Sequence, residues 1–77
     1  MRYQVFDPES NKVLMPFYLP ESAVSYARQL AHIMNRNIGI RDLEASPGAV
    51  DLWSVAPDGT VKEITIKHDD PKREEGK

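Results

Sequence analysis

The chain has no cysteine, only four scattered glycines, a single tryptophan and no excess of basic charge. The first absence removes disulfide staples, thiolate nucleophiles and thiolate metal sites. So few glycines form no phosphate-cradling loop, and the G-x-S-x-G and H-E-x-x-H patterns are missing too. Ten basic and twelve acidic residues give a formal charge of −2. Non-specific nucleic-acid affinity rests on phosphate neutralisation by a basic surface, so this balance counts against such a partner. No apolar run approaches the roughly 20 residues of a membrane-spanning helix. The opening Met1-Arg2-Tyr3-Gln4-Val5-Phe6-Asp7-Pro8 lacks the apolar centre of a secretory signal. These absences point to a cytoplasmic protein without membrane contact.

What is present is one short chain of 77 residues. A domain near that size buries only about 60% of the surface its unfolded chain exposes, which leaves stability marginal. With no disulfide, a tightly packed core, a partner or self-association must supply the rest.

Hydrophobic periodicity organises the chain. Tyr3 and Val5, then Val13, Met15, Phe17 and Leu19, recur at the two-residue period of half-buried strands. Between them Asp7-Pro8-Glu9-Ser10-Asn11-Lys12 carries turn residues, with Pro8 pre-setting φ and Asn11 tolerating a left-handed backbone. The spacing predicts a hairpin over residues 2–6 and 12–19. Pro16 cannot donate a ladder hydrogen bond, so its strand belongs at a sheet edge or beside a bulge. Pro20 suits a first helical position, and Glu21 suits the positive end of the helix dipole. From there Ala23, Val24, Tyr26, Ala27, Leu30, Ala31, Ile33 and Met34 fall on one half of a helix. Ser22, Ser25, Arg28, Gln29, His32, Asn35 and Arg36 fill the other half. The helix is expected from Pro20 to Asn35 or Arg36, ending where Asn35 and Asn37 accept the left-handed conformation.

Three more strands follow: Ile38 to Leu43, Val50 to Ala56 and Val61 to Lys67. Pro47-Gly48 and Pro57-Asp58-Gly59-Thr60 are the turns around the middle one. The prediction is therefore an α+β domain over residues 1–67, of order ββαβββ. Its antiparallel sheet of four or five strands carries one amphipathic helix on one face. Residues 68–77 are charged and offer no apolar side chain, so they are expected to be a disordered tail.

One helix covers one side of a sheet. With Tyr3, Val5, Val13, Met15, Phe17, Ile38, Ile40, Ile64 and Ile66 turned to the helix, Phe6, Leu14, Tyr18 and Leu43 turn away. Leu52 and Trp53 must point to opposite sides, and periodicity does not say which points in. An apolar patch of Phe6, Leu14, Tyr18 and Trp53 on the uncovered side would mark a protein partner or a homodimer contact. The alternative is a strand that twists at Pro16, with these side chains gathered beneath the 44–49 loop. Arg28, His32 and Arg36, four residues apart, form a row on the polar helix face that could hold an anion. As a rule such a row is a solvated surface. His68-Asp69-Asp70 has no second ligand pair at fixed spacing, so no metal is expected. No cofactor is expected either.

The run from Tyr3-Gln4-Val5-Phe6-Asp7-Pro8 through Lys12-Val13, Phe17 and Glu21 to Ala23, Ala27, Leu30 and Ala31 resembles short bacterial and phage proteins of unassigned function. In those, a hairpin leads into an alanine-containing helix and further strands. The resemblance spans about residues 3–41 and carries over no functional residue. It implies an accessory or regulatory protein. Composition and pattern together favour a non-enzymatic interaction module that docks through its uncovered sheet face or a sheet edge. The alternative is a nucleic-acid-binding protein using that face or the Arg28/His32/Arg36 row.

Overall fold

The structure, a computed structural model, describes residues 1–66. The segment expected to be a disordered tail lies outside the described residues. The elements are β1 (Tyr3–Asp7), β2 (Lys12–Phe17), α1 (Pro20–Met34), β3 (Ile38–Asp42), β4 (Leu52–Val55) and β5 (Val61–Ile64). All neighbours pair antiparallel, in the spatial order β2-β1-β3-β4-β5. The chain therefore leaves β2, crosses through α1 and returns on the far side of β1. The fold is the expected α+β class. No helix among the described residues is long and apolar enough to cross a membrane.

The turns form where the residues allow them. Asp7 accepts a hydrogen bond from the Glu9 amide at 3.0 Å, and Asn11 takes φ 60° to bring β2 back along β1. In the 46–49 turn the Ala49 amide donates to the Ser46 carbonyl at 3.0 Å, with Gly48 at φ 88°. That positive φ suits glycine, which has no Cβ to clash. The helix starts with Pro20 in its first turn and stops at Asn35, φ 54°. The Arg36 amide then closes on the Ala31 carbonyl at 3.2 Å.

Ala23, Ala27 and Ala31 are fully buried and bring the helix axis close to Tyr3, Val5, Ile38, Ile40 and Val55. Small side chains at every fourth position permit that approach, and Val24, Tyr26 and Leu30 fill the flanks. Ile33 and Met34, expected on the buried half, are instead exposed, Ile33 to 76%. The alanine stripe defines a narrower contact than half the circumference.

β2 is an edge strand, where Pro16 costs no ladder bond to a further neighbour. Its register slips: Val5 faces Met15 while Phe6 faces Val13, which leaves Leu14 as an extra residue. The bulge turns Leu14 to the core, not away from it as expected. Val13 faces Phe6 across the ladder and so lies on the uncovered side, and Met15 is 41% exposed. Ile64 also lies on the uncovered side, since it pairs with Leu52 and Val61 packs on the core. Val61 packs on the core opposite the buried Val55, so burial and the 57–59 turn agree on the facing of β5.

Candidate functional site on the uncovered sheet side

Residues opposite one another in antiparallel strands share a side of the sheet. The registers therefore draw two rows on the uncovered side. One runs Val13, Phe6, Gly39, Ser54, Lys62, and the other Pro16, Gln4, Arg41, Leu52, Ile64.

The tip of the Phe6 ring lies over Gly39. A Cβ on Gly39 would stand 2.5 Å from the Phe6 ring tip, so glycine is required for the ring to sit there. The Arg41 guanidinium sits over that ring, 4.0 Å from its centroid. Its Nη2 donates to Asn11 Oδ1 at 2.7 Å, which ties β3 to the hairpin turn. Backbone, phenyl ring and guanidinium thus pack together and leave Phe6 only 8% exposed on a side that, among the described residues, no helix covers. Such stacking is worth about 0.5–1 kcal/mol at exposed sites.

Beside the stack opens a groove of about 350 Å³ lined by Phe6, Asn11, Arg41, Asp42, Leu43, Asp51, Leu52 and Ile66. Leu43 and Ile66 are exposed to 46% and 59%. Two buried acids close its end. Asp42 receives both Arg2 Nε at 2.8 Å and Arg2 Nη2 at 3.0 Å, and accepts the Glu44 amide at 3.0 Å. Asp51 Oδ1 accepts the Ile66 amide at 2.7 Å. These bonds fold the 43–50 loop and hold the end of the described chain against the groove. The hydrogen bond to Asp42 pushes Arg2 above the ordinary arginine range. Among the described residues no cluster of three His, Cys, Asp or Glu side chains could hold a metal ion.

No protein-family model matches the chain, and neither a curated protein nor a solved structure matches it.

The four residues expected to form one patch do not lie together. Phe6 is on the uncovered side but beneath Arg41. Leu14 is turned to the core by the bulge. Trp53 pairs with Ile40 and packs on the core, its ring 6.4 Å from that of Tyr3. Tyr18 follows the end of β2 and is 73% exposed.

The Arg28/His32/Arg36 row is also broken. Asn35 ends the helix, so Arg36 leaves the helical spacing. Its Nη2 meets Asp7 at 3.0 Å and its Nη1 meets Glu9 at 3.3 Å. Arg28 Nε donates to the Gly59 carbonyl at 3.3 Å, and His32 is exposed in the last turn. Sequence reasoning missed Leu52, Ile66 and Arg41 as groove residues. Only the pairing of β3 with both β1 and β4, which no local pattern encodes, brings them together.

Proposed function

We propose that the chain is a small non-enzymatic interaction module, an accessory or regulatory factor that docks on a larger protein through its uncovered sheet side. The groove is the observation that carries this reading. Leu43, Leu52 and Ile66 present apolar surface there, with Arg41 and Asn11 at the rim and, among the described residues, no second layer above. An apolar centre with a polar border is the usual anatomy of a protein-recognition surface. Catalysis has less support, since Asp42 and Asp51 already accept hydrogen bonds from Arg2, Glu44 and Ile66. Nucleic-acid binding has less support as well, with Arg36 committed to Asp7 and Glu9.

A pull-down from native lysate tests the reading by comparing three baits. The wild type and the helix control Ile33→Glu are expected to retain the same specific protein. The double variant Leu43→Glu/Ile66→Glu is expected to lose it. A partner indifferent to charges in the groove, or no specific partner at all, contradicts the proposal.

A further inference from the structure

We propose that the outer edge of β5 pairs with an extended partner strand running antiparallel, with a basic side chain opposite Glu63 and an acidic one opposite Lys62. The inference rests on the docking reading and adds the main-chain form and charge pattern of the partner segment.

The two edges of the sheet differ. At β2, Pro16 lacks a donor and the Leu14 bulge breaks the register, and both features hinder strand addition. At β5 the run Val61-Lys62-Glu63-Ile64 has no proline and pairs residue by residue with β4. Among the described residues the backbones of α1 and β5 stay apart, and Val61 is the β5 side chain that packs on the core.

The ladder fixes which groups face outward. The Ala56 amide donates to the Thr60 carbonyl at 2.9 Å, one residue beyond the Val55–Val61 pair. Hydrogen-bonded pairs alternate along antiparallel strands, so the next is Ser54–Lys62. The N–H and C=O of Val61 and Glu63 then point away from β4. They offer two donors and two acceptors at the spacing an added strand requires.

Side chains set the pattern. Lys62 lies on the uncovered side opposite Ser54, and Glu63 on the other side opposite Trp53. Both are exposed. Opposite charges across a strand pair stabilise it, and like charges directly opposite destabilise it. This disfavours a second copy as the occupant. A twofold axis joining two β5 edges antiparallel keeps both helices on one side, so residues of equal parity face each other. The registers centred inside β5 would oppose Lys62 to Lys62 of the copy, or Glu63 to Glu63.

The test uses the full ¹⁵N-labelled chain and a capped peptide, Thr-Thr-Val-Lys-Glu-Val-Thr-Thr, titrated by NMR. Saturable shifts confined to residues 60–66 are expected, with a Kd of about 1 mM or tighter. Lys62→Glu should weaken the peptide about twofold to fivefold, the range of one cross-strand charge pair. Replacing the peptide's glutamate by lysine should restore binding to that variant. Glu63→Pro removes an outward donor without touching the ladder to β4 and should abolish binding. Methylating the peptide's lysine amide should do the same and leaves the protein unaltered. Absent shifts, or binding indifferent to these changes, overturns the proposal. So does protection of the Val61 and Glu63 amides in the free chain, which would mean that a copy or residues 67–77 already occupy the edge. The lysate partner separates the two readings. If Leu43→Glu/Ile66→Glu loses it and Glu63→Pro retains it, the edge proposal fails and the docking reading stands. If both retain it, both fail.

Discussion

At Gly39 the sheet has no side chain because a ring occupies the space a Cβ would take. With Phe6 ring carbons 2.5 to 3.0 Å from that position, Gly39→Ala must displace the ring and the Arg41 guanidinium stacked on it. The expected cost is about 1–3 kcal/mol, the range for overpacking a well-filled site, read as a shift of the urea midpoint. Phe6→Leu in the same chain should recover part of the loss, a coupling that a double-mutant cycle measures. None of this was legible in the sequence. Gly39 looked like an ordinary small residue in a strand, and Phe6 like an exposed apolar one. Only the β1–β3 register sets the two opposite one another. Asn35 was legible, because a helix needs a left-handed residue at its end and asparagine tolerates that conformation. Asn35→Val is expected to cost about 1–2 kcal/mol.

At the scale of elements, the helix and the turns followed from local chemistry. Pro20, the alanine spacing, Asn11, Pro47-Gly48 and Asp58-Gly59 each act within a few residues of their own position. The facing of individual strand residues did not follow. A bulge moved Leu14 inward, and the β4–β5 register set Val61, not Ile64, on the core side. Strand order was not legible either, since a helix between β2 and β3 is compatible with several sheet neighbours. The alanine stripe gives a direct prediction. Ala27→Leu should destabilise by about 1–3 kcal/mol through overpacking against the sheet. Ile33→Lys, on the exposed flank, should stay within about 0.5 kcal/mol. Equal effects at the two positions would place the helix–sheet contact elsewhere.

For the molecule as a whole, charge links the hairpin to the helix end, while the last turn holds its own carboxylate. Asp7 is held below the usual carboxylate range by the Glu9 amide and, further, by Arg36. Asp58 is held below it by the Thr60 amide and hydroxyl. A lowered folded-state pKa contributes stability that is present above the unfolded value and lost as pH falls through the folded one. The urea midpoint should therefore be flat from neutral pH downward and drop below about pH 4, the ordinary aspartate value. Asp7→Asn should shrink that drop. The raised Arg2 acts at the other end: its contribution is complete below the ordinary arginine value, so it adds no slope in this window.

The account turns on a sheet that, among the described residues, one helix leaves open on one side. Solvent paramagnetic relaxation of methyl signals in the full dilute chain tests this directly. The methyls of Leu43 and Ile66 should be strongly broadened by a soluble probe, those of Leu52 and Ile64 partly, and those of Ala27 and Ile38 hardly at all. If Leu43, Leu52 and Ile66 prove as sheltered as Ile38, the groove is already covered within the molecule and the docking surface does not exist.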